Sequence, residues 1–460
     1  MGSRWSVRPS RGLLYDACES ARKAIIIQQL GNTGLGEQRR ATPRRVAILT
    51  LGCKLNQADS EAIGRQLGRN GIEVIDRPAP ADAYIINTCS VTHVADRKAR
   101  HLVRLVRRMA PGAPVVLTGC YVETVGADIA LEAGADLALG NRDKARIADH
   151  VAALPVANAL PTLDRRAAHL RTRAFVKVQE GCNDVCAFCI VPKTRGREVS
   201  EPVDAVVREV QAREAEGVQE VVLTGTQLGA YGRDAGNLRP SDVIAAVLAD
   251  TSVPRIRFSS LQPQDIVPEL LALWDDPRLC RHFHLALQSG SDSTLRRMRR
   301  RYTTAEYTAA AERIRAQCGD DVAITTDMIV GFPGETDDEF DESVRYCAGV
   351  GFAAMHVFPY SLRSGTTAAK MPDHVAAPVK HECMQRMLAV ARESQQRYLA
   401  RFTGSVTPVL WEHRERDGAW SGLTDNYIRV RAHSERNLRN VLTPARLVKV
   451  SRDGFEGDAL

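Results

Sequence analysis

Three short apolar runs in the first third of the chain end in the same way, and that repetition limits the fold more than any other feature. Val46-Ala47-Ile48-Leu49-Thr50-Leu51-Gly52-Cys53, Tyr84-Ile85-Ile86-Asn87-Thr88-Cys89 and Val115-Val116-Leu117-Thr118-Gly119-Cys120 each read as a β-strand closed by a cysteine. Helix-length intervals separate them, the pattern of βα units around a parallel sheet. The carboxyl ends of parallel strands share one edge, where loops gather and ligands bind. Cys53, Cys89 and Cys120 are therefore expected to converge although 36 and 31 residues separate them. One cysteine at a strand end is usually a small buried apolar residue. Three in equivalent positions point to a ligand set.

A second βα series follows a Pro- and Ala-containing linker at 151–172. Strand-like runs at 175–179, 220–223, 255–259, 282–287, 322–330 and 354–358 alternate with helix-length intervals. Six units suit an open, partial (β/α)6 barrel rather than the closed eight. Past residue 403 the runs shorten to 406–411, 427–430 and 446–450, separated by Gly418, Gly422 and Asn426, which predicts a small antiparallel β-domain. The expected order is a basic extension over 1–45, a parallel-sheet α/β domain over 46–150, the linker, the barrel over 173–402 and the β-domain over 403–454.

At 460 residues the chain exceeds what one core usually serves. With 44% hydrophobic and 25% charged residues and no apolar run of membrane length, it is expected to be soluble and cytoplasmic, with no membrane partner. The net charge of +7 is misleading, because residues 1–45 carry +6 of it. That extension lacks the apolar core of a secretory signal, while a transit peptide or an upstream mis-start both suit its arginines. Basic surface elsewhere must be local. Two places offer it: Arg296-Arg297-Met298-Arg299-Arg300-Arg301-Tyr302, and residues 403–452, where nine Arg/Lys face five acids. Trp411, Trp420 and Tyr427 in the latter are either base-stacking surfaces or the core of a small domain.

Eleven cysteines is an odd count, and without a secretory signal metal ligation is a stronger explanation than a disulfide framework. Gly181-Cys182-Asn183-Asp184-Val185-Cys186-Ala187-Phe188-Cys189 supplies a Cys-x3-Cys-x2-Cys run just past the first barrel strand. Structural zinc takes four ligands, and no fourth lies nearby. Three thiolates suit a [4Fe-4S] cluster with one iron left open. Cys18, Cys280, Cys318, Cys347 and Cys383 have no partner at ligand spacing and read as packing residues, as do His93, His101, His282, His284 and His356.

This cysteine run resembles the signature of the radical S-adenosylmethionine (SAM) superfamily. The resemblance implies that SAM fills the open iron position and is cleaved to a 5′-deoxyadenosyl radical. The amino-terminal motifs Gly52-Cys53-Lys54-Leu55-Asn56-Gln57, Asn87-Thr88-Cys89 and Thr118-Gly119-Cys120 resemble those of the methylthiotransferases. The likeness extends over about residues 46–452 and implies that Cys53, Cys89 and Cys120 hold a second [4Fe-4S] cluster connected with the inserted sulfur. It also implies that one SAM supplies the methyl group and another the radical.

Four further stretches resemble the SAM-facing strand ends of that barrel: Thr224-Gly225-Thr226-Gln227, Leu287-Gln288-Ser289-Gly290-Ser291-Asp292, Gly331-Phe332-Pro333-Gly334-Glu335-Thr336 and His356-Val357-Phe358-Pro359-Tyr360-Ser361. By motif position, Phe188, Gly225, Gln288, Ser289, Gly331 and Phe358 are the expected SAM contacts. Phe188 either packs on the adenine or shields the cluster, and Gly225 and Gly331 either admit ligand or are ordinary turns. The terminal module resembles a TRAM domain, an RNA-binding type. Within the family the resemblance is to the branch acting on threonylcarbamoyladenosine in tRNA, with Gln262 departing from that branch's usual Glu. The partners implied are tRNA and an electron donor that the sequence does not identify. Alternatives are isopentenyladenosine or a ribosomal-protein aspartate as target, or a non-catalytic iron–sulfur carrier or RNA-binding protein.

Overall fold

The structure is a computed structural model that describes residues 43–154, 156, 172–236 and 238–460. The basic extension up to residue 42, Cys18 within it, and most of the expected linker lie outside the described residues.

The first domain is a five-stranded parallel sheet. Its strands β1 (Arg45–Thr50), β2 (Glu73–Ile75), β3 (Ala83–Thr88), β4 (Val115–Gly119) and β5 (Leu137–Leu139) lie in the order β2-β1-β3-β4-β5. Central β3 is buried along its whole length because helices cover both faces, and so its apolar run is unbroken rather than alternating. Ala47, Leu49, Tyr84, Ile86 and Leu117 pack toward the helix His93–Met109 through Ala99, Val103 and Val106. On the other face Val46, Ile48, Ile85 and Val116 meet Ile63 and Leu67 of the helix Lys54–Arg69.

The second series forms β6 (Arg173–Lys177), a short antiparallel pair β7 (Gln179–Glu180) and β8 (Val199–Ser200), then β9 (Glu220–Thr224), β10 (Arg255–Phe258), β11 (Ser260–Leu261), β12 (His282–Leu285), β13 (Ala323–Val330) and β14 (Ala354–Pro359). The expected third strand is split at Ser259. β10 pairs with β9, and β11 passes the chain on to β12, so the ladders are β10-β9-β6 and β11-β12-β13-β14. The whole is a six-position parallel arc with helices outside and two free edges, β6 and β14.

Strand alternation divides the arc's residues cleanly. Val176, Val221, Leu223, Ile256, Phe258, Phe283, Leu285, Ile324, Met328, Met355 and Val357 join the large core under the outer helices. The alternate residues face inward and are mostly polar: Arg173, Lys177, Glu220, Thr224, Arg257, His282, His284, Thr325, Asp327 and His356. The first domain covers the open side and is tied to both edges. Phe175 N–H on β6 donates to Glu61 at 3.1 Å, while beyond β14 Arg363 reaches Asp96 at 2.6 Å and the Val91 carbonyl at 3.2 Å.

The last domain is a closed barrel of β15 (Val406–Arg414), β16 (Trp420–Thr424), β17 (Arg429–Ala432), β18 (Leu442–Val450) and β19 (Gly454–Ala459), in the order β15-β16-β17-β19-β18. Two features correct the expectation of a purely antiparallel domain over 403–454. β17 and β19 pair parallel, and β19 runs on to Ala459. Its sequence, Gly-Phe-Glu-Gly-Asp-Ala, lacks the β-branched signature that marks a strand, and barrel closure supplies its pairing instead. Trp411 and Trp420 are core residues of this domain rather than a stacking surface.

Candidate functional site

Adjacency of β1, β3 and β4 brings Cys53, Cys89 and Cys120 to one sheet edge. The approach is tight enough to require glycine: a Cβ on Gly52, whose φ is +101°, would lie 2.4 Å from Cys89 Cβ and 2.9 Å from its Sγ. Cys53 is exposed at the helix start, whereas Cys89 and Cys120 are buried. Burial pushes the Cys89 thiol up to about 11, and the neighbouring Cys53 and Cys120 act in the same direction.

One guanidinium from the second domain enters this trio. Arg195 donates to Glu180 at 2.6 Å and to Asp59 at 3.3 Å, and also bonds Asn56 Oδ1. Burial opposes its charge, but Cys120, Asp59, Glu180 and Cys53 together hold its pKa above the usual arginine value. Asn141 makes a second link, with its Nδ2 2.7 Å from the Thr194 carbonyl and 3.9 Å from Cys120 Sγ.

The second trio lies on the loop after β7. Ala187 anchors it, with N–H to the Met298 carbonyl at 2.9 Å and its own carbonyl accepting from Ala368 N–H at 2.7 Å. Donors point at sulfur: Asp184 N–H lies 3.4 Å from Cys182 Sγ and Arg300 Nη1 3.2 Å from Cys186 Sγ. Burial pushes Cys182 up to about 11 and Cys189 up to about 12. Gln262 ties the loop to its supports, donating to Asp184 at 3.1 Å and accepting from Arg300 at 3.0 Å. An amide does both at once, which a carboxylate here could not.

These two sets fit iron–sulfur clusters. All six thiols are free of disulfides, and cationic or N–H donors face sulfur in each set. Among the described residues no group of three His, Cys, Asp or Glu could hold a single metal ion. A cluster, with irons at separate corners of a cube, takes its thiolates further apart than one ion does.

The expected SAM contacts divide by placement. Phe188 is half-buried against Ala187, Met298, Phe332 and Tyr360, and Phe358 is 43% exposed on the inward face of β14. Gln288 holds a φ of +73°, its backbone bridging to Asp327 and Ile329 at 2.9 Å each. Such strained non-glycine backbone clusters at functional sites. Ser289 is turned away, fully buried with its hydroxyl 3.2 Å from that of Ser343. At Gly225 and Gly331 the close approach is by the chain itself: a Cβ would meet the Gln179 carbonyl at 2.9 Å and Lys380 Cγ at 2.2 Å.

The inward face of the arc carries a layer of rings and charges. His282 Nε2 and His284 Nδ1 share Thr325 Oγ1 at 3.0 and 3.2 Å, and His284 Nε2 lies 3.3 Å from Asp327. Tyr427, at a turn of the terminal barrel with a φ of +66°, stacks on His282 at 4.6 Å. Lys54 reaches the same ring from the first domain, with its ammonium 6.0 Å from the ring centre.

Residues 176–347 match the radical SAM superfamily, and residues 45–140 match an uncharacterized protein family, UPF0004. The chain is 34% identical over 433 residues to the threonylcarbamoyladenosine tRNA methylthiotransferase MtaB of Bacillus subtilis, covering 90% of this chain and 95% of the relative. It is 32% identical to the tRNA-2-methylthio-N(6)-dimethylallyladenosine synthase of Syntrophotalea carbinolica, covering 89% and 98%. The chain belongs to the radical SAM methylthiotransferase family. Among solved structures, the radical SAM methyltransferase TsrM of Kitasatospora setae shares the fold, with a TM-score of 0.50 at 14% identity over 69% of this chain and 75% of that one.

As a radical SAM methylthiotransferase, the chain is an enzyme that uses SAM and iron–sulfur chemistry. Within the described residues, no helix is long and apolar enough to cross a membrane. Sequence reasoning missed Arg195, Arg300 and Lys54 as parts of the site. Only Lys54 carried a signal, its place directly after Cys53. Within the basic run 296–302, Arg297 pairs with Glu339, Arg301 with Asp184, and Arg300 with Cys186 of the second trio, while Arg296 and Arg299 are exposed.

Proposed function

We propose that this methylthiotransferase adds a methylthio group to N6-threonylcarbamoyladenosine beside the anticodon in tRNA, using two [4Fe-4S] clusters. The observation that supports this reading is the link across the domain boundary between the first cysteine set and the segment just after the second, made by Arg195 and Asn141.

Cys182, Cys186 and Cys189 hold one cluster, and Cys53, Cys89 and Cys120 the other. The bound clusters and SAM supply the radical and the sulfur, chemistry that no side-chain acid or base reaches. Arg195 and Arg300 balance thiolate charge at the two sets. Phe188, Gln288 and Phe358 bind SAM, while Gly225, Ser289 and Gly331 fix the loops that present them. The first domain, fastened to both barrel edges, keeps water from the space between the trios.

Two features support an RNA target with a polar adenine substituent. The helix His93–Met109 starts four residues after Cys89 and shows an exposed stripe of Arg97, His101, Arg104 and Arg108, with Lys98 beside it. Its four Arg/Lys form no ion pair among the described residues, which suits phosphate contacts. The inward face, rich in His, Asp and Lys, suits a threonylcarbamoyl group better than an isopentenyl chain. An electron donor completes the turnover.

Nucleoside mass spectrometry of tRNA from a strain lacking this gene tests the assignment. Loss of the 2-methylthio derivative of N6-threonylcarbamoyladenosine is expected, and its persistence refutes the substrate. Anaerobic reconstitution is expected to yield about eight irons per chain, whereas about four would remove the second cluster.

A further inference from the structure

Resting on that reading, we infer that Lys54 binds the carboxylate of the threonyl group, so that a single ammonium selects the acidic substituent on the substrate adenine. Other cations near it each have an acid within ion-pair distance. Arg257 has Glu220 at 2.9 Å, Arg173 has Glu412 at 2.7 Å, Lys177 has Glu180 at 3.0 Å and Lys144 has Asp59 at 2.7 Å. Asp327, the acid of the ring layer, is engaged by His284. Lys54 forms neither an ion pair nor a hydrogen bond among the described residues: its ammonium lies 6.0 Å from the centre of the Tyr427 ring, and the acids that act on it, Glu220 and Asp327, stay beyond ion-pair distance.

Half-buried, Lys54 cannot draw on bulk water as a surface lysine does, and desolvated ammonium groups are normally matched by an anion. Tyr427 leaves 38% of its surface open beside it, so there is room for a ligand group. Phosphate is the poorer candidate: the unpaired cations suited to an RNA backbone line the outer helix His93–Met109, whereas Lys54 stands among rings within the barrel. Its place directly after Cys53 puts it beside the trio from which sulfur is delivered. An adenine reacting there carries its N6 substituent within the reach of a four-carbon lysine stem.

A carboxylate has two sources in this reaction, the threonyl group and the methionine part of SAM. The test separates them by comparing tRNA bearing threonylcarbamoyladenosine with the same tRNA carrying its methyl ester. Wild type is expected to lose about 10- to 100-fold in kcat/KM on esterification, chiefly through KM, as befits one charge-assisted contact. Lys54→Met is expected to handle acid and ester alike, and Lys54→Arg to restore part of the preference. Iron and sulfide content reports whether the adjoining Cys53 set is intact in each variant. If Lys54→Met still prefers the acid as wild type does, the inference is wrong. A rise in the KM for SAM with the acid preference kept assigns the contact to methionine and equally overturns it. Wild type inert on both tRNAs brings down the substrate reading itself.

Discussion

Arg195 is the residue on which the two domains agree. Its guanidinium spans Glu180, one residue ahead of the Gly181–Cys182 pair, and Asn56 and Asp59 of the first domain, beneath the Cys53 set. Arg195→Ala leaves Asp59 with Lys144 and Lys177, so the fold survives while the Cys53 set loses the guanidinium that acts on it. The expected result after reconstitution is about four irons per chain with SAM cleavage retained, read by iron analysis and by 5′-deoxyadenosine formation. Full iron content would show that the arginine acts on the domain joint alone. The six cysteines stood out in the sequence because three share a spacing and three share a topological position. Arg195 and Arg300 did not, since a charge acquires its role from whichever element comes to face it. Two arginines of the run near residue 300 have partners that the sequence does not show: Asp184 and Glu339 are 117 and 42 residues from Arg301 and Arg297.

At the level of elements, the turn after β13 carries an unusual carboxyl group. Glu335 accepts N–H bonds from Gly331 at 2.5 Å and Phe332 at 3.2 Å, yet burial pushes its pKa from 4.5 up to about 7. A raised carboxyl pKa means that the folded state holds the proton more tightly. The contribution to stability is fully present below about pH 4.5 and lost as pH rises through 7. Glu335→Gln keeps the acceptor without the charge, so it should gain on wild type between pH 5 and pH 8 by at most about 3 kcal/mol. Urea unfolding at the two pH values measures this, and a difference that does not change with pH would contradict it. Elements with β-branched or alternating runs were readable in advance. The break at Ser259 and the strand Gly454–Ala459 were not, because they answer to sheet curvature and barrel closure rather than to local preference.

Across the whole molecule, the terminal barrel closes the lower end of the central one through buried charge. Glu220 has no exposed surface and faces Arg257 at 2.9 Å, Arg173 at 3.9 Å and Arg255 at 4.0 Å. The arginines pass on to the terminal domain: Arg255 donates to the Leu423 and Pro408 carbonyls, and Arg173 to Glu412. Glu220→Ala strands these cations and should cost about 3–5 kcal/mol, visible as a lower midpoint in guanidinium. An unchanged midpoint would mean that the carbonyls alone suffice. Domain order and class followed from the sequence, but this docking did not, since single acids such as Glu220 look the same on a surface as in a joint.

The first domain's grip on β6 and β14 has a consequence for how the chain can be taken apart. A fragment starting at the barrel would uncover the β6 margin, against which the first domain packs, and leave its amides and carbonyls unanswered, the template by which sheets recruit strangers. The Cys53, Cys89 and Cys120 set and protection against self-association are thus lodged in one module, so neither can be discarded while the other is kept.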